Sequence, residues 1–176
     1  MYRILCDSYV LYDPRLPDFF VFEPELAQKK NEPGELTFKI PKEHPNYGVL
    51  EKLKSRIKVY RDDALIWVGR VIEDERDLYE NRWVMAEGVQ AFLLDSILRP
   101  FTMDGTVVDI WQYILIQHNN QVNENQRIGI GTCDLAGSVS IATKEYLSAW
   151  QVLKTFLLDT LGGYLIVRYD ENENPI

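Results

Sequence analysis

Few side chains in this sequence have the type and spacing that a reaction or a ligand needs. Its two histidines are His44 and His118, and imidazole is both a proton carrier near neutrality and a common metal ligand. Neither has a second His, Cys or Asp at ligand spacing. His118 also falls on an apolar helical stripe, so both are expected to be structural. The two cysteines, Cys6 and Cys133, are far apart and form no Cys-x-x-Cys pair. Two buried thiols are expected rather than a disulfide or a metal pair. No serine sits in a Gly-x-Ser-x-Gly elbow, and neither cysteine has a histidine close to it in the chain. Gly129-Ile130-Gly131 holds two glycines of a dinucleotide fingerprint, but no third follows and no long helix opens there, so a turn or bulge is expected. The acidic run from Glu73 to Glu80 could bind a cation. Alternate residues of a strand point to opposite faces, however, and a solvated strand extension is the stronger expectation. Trp67 and Trp83, on neighbouring strands, could form a sugar-stacking platform, but core or subunit contacts are the stronger expectation.

No catalytic, cofactor-binding or metal-binding residue is therefore assigned, and no cofactor is expected. Candidate core or subunit contacts are Trp67, Trp83, Tyr60, Arg99 and Phe101.

The elements that carry these residues begin with the stretch from Ser55 to Pro100. Ile57 to Tyr60 and Leu65 to Ile72 are β-rich runs joined by Arg61-Asp62-Asp63-Ala64, a polar turn that makes them a hairpin. The second strand runs into the charged stretch Glu73 to Asp77, a turn follows at Tyr79 to Arg82, and Trp83 to Glu87 is a third strand. Val89 to Asp95 is a short helix. Before this meander, Tyr2 to Tyr12 reads as two short strands around Asp7-Ser8. Phe19 to Phe22 is β-prone, and Leu26 to Lys30 continues an edge. Glu32-Pro33-Gly34-Glu35 is a turn, after which Leu36, Phe38 and Ile40 alternate with polar residues as in a half-buried strand. His44 to Leu53 fits one or two helical turns, with Pro45 near the first helical position. Six or seven strands with one capping helix predict a closed or nearly closed small barrel, which leaves few sticky edges.

The pattern changes after Arg99-Pro100. Thr106 and Asp109 form a capping box ahead of an apolar stripe at Val107, Ile110, Trp111, Ile114, Leu115 and His118. Arg127 to Gly131 and Ser138 to Thr143 read as short strands. Ser148 and Gln151 cap a second helix, with its stripe at Ala149, Val152, Leu153, Phe156, Leu157 and Thr160, and Gly162-Gly163 stops it. Tyr164 to Tyr169 is a final strand, and Asp170 to Asn174 resembles a turn into a strand that does not follow. The expected class is α+β: a small antiparallel β-barrel-like domain over residues 1–100, followed by an α/β domain over 101–176 with two amphipathic helices, truncated at its C-terminal end.

Composition narrows the function classes. Of 176 residues, 46% are hydrophobic and 26% charged, which fits a folded soluble protein. No apolar run approaches the ~18 residues a membrane helix needs, and an acid at Asp7 interrupts any signal-peptide core, so folding in a cytoplasm is expected. The net charge is −8, with no basic stripe to offset it, which argues against a nucleic-acid reader. An acidic wall along which DNA slides without sticking stays compatible with it.

An ordered set of segments resembles a known family. Glu32-Pro33-Gly34-Glu35-Leu36-Thr37-Phe38-Lys39-Ile40-Pro41, His44-Pro45-Asn46-Tyr47 and Trp67-Val68-Gly69-Arg70-Val71 are similar to the tail-tip hub proteins of siphophages and prophages of Gram-positive bacteria. Ala86 to Ser96, Arg99-Pro100 and Leu158-Asp159-Thr160-Leu161-Gly162-Gly163-Tyr164-Leu165 continue the likeness. The family is also called tail-associated lysin or prophage endopeptidase tail protein. The resemblance implies a homotrimeric baseplate hub whose paired barrel-like domains form a pseudo-sixfold ring beneath the tail tube. It implies a distal tail protein and a tape measure protein as partners, and DNA passage through a closed channel without specific binding. A virion tail tip is the implied location, after the bacterial host cytoplasm. Longer relatives carry a hydrolase or fibre region, but no catalytic signature supports carrying that activity onto this chain. A non-enzymatic hub component is thus expected; a carbohydrate-binding β-module without catalysis is the alternative.

Overall fold

Two consecutive aspartates set the first strand pairing. In the computed structural model, which describes residues 1–176, Asp62 and Asp63 both have positive φ, 49° and 65°. Left-handed dihedrals at both central residues define the two-residue hairpin turn that matches strand twist. They join β5 (Arg56–Arg61) to β6 (Ala64–Arg76), with Arg61 opposite Ala64. β6 then pairs with β7 (Arg82–Gly88). Two further hairpins flank this meander: β1 (Tyr2–Cys6) with β2 (Tyr9–Tyr12), and β3 (Phe22–Ala27) with β4 (Glu35–Ile40). The result is one seven-stranded antiparallel sheet in the order β2-β1-β5-β6-β7-β4-β3.

The chain divides into two compact units, Met1–Val89 and Gln90–Ile176. In the first, the curled sheet forms a half-barrel. Of the closed or nearly closed barrel expected, the barrel-like curl forms and full closure does not, because β2 and β3 stand at opposite ends of the strand order and do not pair. Inside the curl, Leu36, Phe38 and Ile40 of β4 face Ile57, Val59, Val84 and Ala86, all at most 3% exposed. Each such large side chain contributes ~1.5–3 kcal/mol by leaving water. The edge strand β3 begins at Phe22 and ends at Ala27, so neither Phe19 to Val21 nor Gln28 to Lys30 belongs to it. Pro24 and a register shift between Phe22 and Glu25 interrupt its ladder, as edge strands tolerate. The helical turns expected over His44 to Leu53 shrink to a single 3-10 turn, Tyr47–Val49. Leu50 is already extended, and Leu53 N–H donates to the Val71 carbonyl at 2.7 Å. Leu53 thus gives its donor to the sheet, while the Tyr47 and Val49 amides stay in local turns.

The short helix expected after β7 is a 3-10 run, Val89–Leu94. In the second unit, β8 (Ile97–Leu98) pairs with β11 (Leu147–Ser148), and β9 (Thr102–Thr106) with β10 (Ser138–Ala142). Helix α1 (Val107–Asn119) starts from the Thr106–Asp109 capping box and buries Val107, Ile110, Ile114, Leu115 and His118. The second helix starts from the Ser148–Gln151 box. It is α-helical over Ala149–Val152, π-helical over Leu153–Leu158 and α-helical again over Asp159–Leu161. Gly162, with φ +73°, ends it. The fold is α+β with a β-barrel-like first unit. Arg99-Pro100 lies inside the second unit, between β8 and β9.

Two expected strands are absent. Arg127 to Gly131 forms no ladder; Gly129 N–H reaches the Pro175 carbonyl at 2.8 Å. Tyr164 to Tyr169 has one isolated bridge, Tyr169 with Pro175, beside the Arg168–Ile176 backbone pair at 2.9 and 3.0 Å. Tyr164 to Tyr169 alternates in exposure, but alternation makes a strand only where a neighbouring strand completes the ladder.

Candidate functional site

The fold brings together one pair that chemistry could have used. Ser96 and His118 are 22 positions apart, and Ser96 Oγ lies 2.9 Å from His118 Nδ1. His118 Nε2 lies 3.1 Å from the Gln126 carbonyl oxygen, which can only accept, so Nε2 carries the proton and Nδ1 accepts from the serine hydroxyl. A serine donating to a neutral imidazole is the first half of a nucleophile-base pair. Both residues, however, are 0% exposed. The hydroxyl has no route to a substrate, and the nitrogen that would relay the proton is occupied by a backbone carbonyl. Burial also pushes the His118 pKa below its ordinary value, with the Gln126 carbonyl acting in the opposite sense. The pair therefore ties the start of β8 to α1 and to the loop after it.

His44 repeats the arrangement in the first unit. Its Nε2 donates to the Leu11 carbonyl at 2.8 Å, and its Nδ1 accepts from the Asn46 amide at 3.0 Å. It is 4% exposed, and desolvation lowers its pKa. Phe19 meets its ring edge-on at 5.7 Å. Cys6 is fully buried, its thiol pushed up to about 11 chiefly by desolvation. Such a thiol is a poor nucleophile near neutral pH, because the thiolate is the reactive form. Cys133 is half-buried rather than buried, and both cysteines are free thiols.

The tryptophans are placed by strand register. Trp67, opposite Val59, is 3% exposed within the first unit's core. Trp83 lies opposite Glu75, eight residues further along β6, or roughly 25 Å at strand rise. It is half-buried on the face of β7 away from Val84 and Ala86. The two indoles therefore share neither face nor position, and no stacking platform forms. Tyr60 is 8% exposed, with the Arg3 guanidinium 5.2 Å from its ring centre. Phe101 is half-buried against Tyr113, ring centres 5.0 Å apart, while Arg99 is exposed.

The acidic run is organised rather than loose. Arg82 pairs with Asp74 on the core side of the arm, and Lys39 Nζ reaches Asp77 at 2.6 Å. Lys39, followed by the Asn81 side chain, holds the Asp77 carboxyl well below the usual carboxylate range. The turn beyond them exposes Leu78 and Tyr79 almost completely. That apolar pair escapes a pattern reading because turn residues are read for backbone conformation. The available signal is two large apolar residues where a turn is otherwise polar. No helix is long and apolar enough to cross a membrane.

A half-barrel followed by a small two-helix unit is an architecture shared with a phage tail protein. The structure is similar to the prophage tail protein gp18 from Listeria monocytogenes EGD-e, with a TM-score of 0.56 and 14% sequence identity. The match covers 99% of this chain and 49% of that one, so the chain spans about half the length of the Listeria protein. By sequence the chain matches no family model and no curated protein. At this identity the likeness is one of fold.

Proposed function

We propose that the chain is a structural component of a bacteriophage or prophage tail, and within it part of the tail-tip hub. The observation that carries this is the fold likeness to a prophage tail protein over 99% of the chain. The hub assignment rests on the segments of hub-like sequence around Glu32 to Pro41, Trp67 to Val71 and Leu158 to Leu165. In this role three copies close a ring, since a heterologous contact that does not close gives filaments. The ring joins the distal tail protein and the tape measure protein. It lines a channel for DNA, and a net charge of −8 keeps the phosphate backbone from adhering. The protein acts without catalysis, assembled from the host cytoplasm into the virion tail tip. The carbohydrate-binding alternative loses its support from the separation of Trp67 and Trp83.

Two measurements test the proposal. Mass spectrometry of purified tails is expected to find the chain's peptides in the tail fraction; their absence overturns the tail assignment. Light scattering on a version extended to the length of the Listeria protein is expected to give a trimer. A stable dimer or tetramer is incompatible with the hub.

A further inference from the structure

The turn joining β6 to β7 carries two large apolar side chains into solvent. Leu78 is 99% exposed and Tyr79 80%. Single exposed apolar residues are ordinary, but these two are adjacent and rigidly supported. Asp77 Oδ1 accepts from the amides of Tyr79 at 2.9 Å and Asn81 at 3.0 Å. Its Oδ2 accepts from Asn81 Nδ2 at 3.0 Å and Lys39 Nζ at 2.6 Å. The Asp77 amide donates to the Asn81 carbonyl at 2.9 Å, and the Tyr47 hydroxyl donates to the Glu80 carbonyl. Behind the turn, Arg82 ties Asp74 to the carbonyls of Tyr47 and Leu50. A turn pinned in this way holds its backbone in place, which lowers the ordering cost that weakens most loop contacts.

The charge of the arm sets the chemistry of what it meets. Residues 73–80 hold five acids and one base, and with Lys39 and Arg82, which pair with Asp77 and Asp74, the arm carries a net of −2. Glu73, Glu75 and Glu80 are exposed. This collar repels the anionic headgroups of a bacterial membrane. It also disfavours a second copy of a chain carrying −8. We propose that Leu78 and Tyr79 form a knob that seats in an apolar pocket rimmed by Lys and Arg, carried by a different protein of the assembly. The proposal rests on the tail assignment only for the assembly in which that protein is sought.

The test replaces Tyr79 with the photo-crosslinker p-benzoylphenylalanine in the full chain, produced in cells that assemble the tail. After irradiation the adduct is digested and sequenced. The expected adduct lies on one other protein, at apolar residues flanked by Lys or Arg. Its yield falls at least about tenfold with Leu78→Ser, as for an interface anchor, and falls likewise with the double variant Glu73→Lys, Glu75→Lys. These positions are exposed, so the melting temperature is expected to stay within about a degree and folding is not in question. An adduct on lipid, on a second copy, or beside an acidic or uncharged rim overturns the knob, as does no adduct at all. The two proposals fail separately. Absence of the chain from purified tails removes the tail assignment, whereas tails that contain the chain without the adduct remove the knob.

Discussion

Arg82 and Asp74 form a two-pronged ion pair across the β6–β7 arm, with Nε donating to Oδ1 at 2.8 Å and Nη2 to Oδ2. The Arg82 side chain is 6% exposed and that of Asp74 20%. The same guanidinium donates to the Tyr47 and Leu50 carbonyls and lies 5.3 Å from the Tyr47 ring centre. Arg82→Ala strands a carboxylate and two carbonyls at once. Removing one partner of a buried pair typically costs about 3–5 kcal/mol, and urea unfolding is expected to show a loss at the lower end of that range. A loss under about 1 kcal/mol would mean that the pair behaves like an exposed surface bridge.

Trp67→Ala is expected to lower stability by ~3–5 kcal/mol, as for other large buried aromatics. A variant that melts within about a degree of the parent would place Trp67 outside the core and reopen the sugar-binding alternative.

Gly88 is fixed by the approach of another backbone. A Cβ added there would sit 1.8 Å from the Pro33 carbonyl oxygen and 2.9 Å from Trp67 Nε1. Gly88→Ala is expected to cost at least ~1–3 kcal/mol by overpacking. Gly48 meets nothing within 4 Å and serves as the control; Gly48→Ala is expected to be neutral or slightly stabilising. Equal melting temperatures for the two variants would contradict the packing described.

His44 and His118 both have folded-state pKa values below the ordinary 6.5, chiefly through burial. The unfolded chain therefore binds protons that the folded chain refuses. The stabilisation is fully present above about pH 6.5 and declines as pH falls through the depressed folded values. Asp13 does not act in this window, because Arg15 holds its carboxyl at about 2 against an ordinary 3.8. Chemical denaturation at a series of pH values from about 7.5 to 5 is expected to show falling stability. His118→Gln is expected to flatten that slope. An unchanged slope in the single variants and in the double His44→Gln, His118→Gln variant would sink the account.

The chain is expected to release no muropeptides from purified cell walls, since the Ser96–His118 pair has no access to substrate. Release above a heat-denatured control, abolished by Ser96→Ala, would show that the pair opens.

Much of the local structure was readable from residue types. Leu36, Phe38 and Ile40 alternate and are buried, Asp62-Asp63 makes the expected hairpin turn, and both capping boxes form as their residues dictate. The long-range pairing was not readable. β4 joins β7 through partners such as Phe38 and Val84, and nothing local in either strand names the other. For the same reason Tyr164 to Tyr169 has a strand's alternation without a strand's ladder. The Ser96–His118 contact depends on tertiary placement, and the π-helical turn at Leu153–Leu158 adds a residue that an apolar stripe alone does not reveal.

The strand order has a consequence for biosynthesis. The centre of the sheet is the β5–β6–β7 meander, which leaves the ribosome last among the sheet's strands, while both flanking hairpins emerge first. β1 waits for β5, and β4 waits for β7, whose final residue, Gly88, lies 48 positions after Ile40, the last of β4. At about 5–20 residues per second that interval lasts roughly 2–10 s. Until it ends the β3–β4 hairpin has no β7 to join, and the core around Phe38 and Ile40 lacks Val84 and Ala86. The nascent chain is therefore most open to mispairing and to chaperone capture before Gly88 clears the exit tunnel, and slowing translation downstream of that residue should matter far less than slowing it upstream.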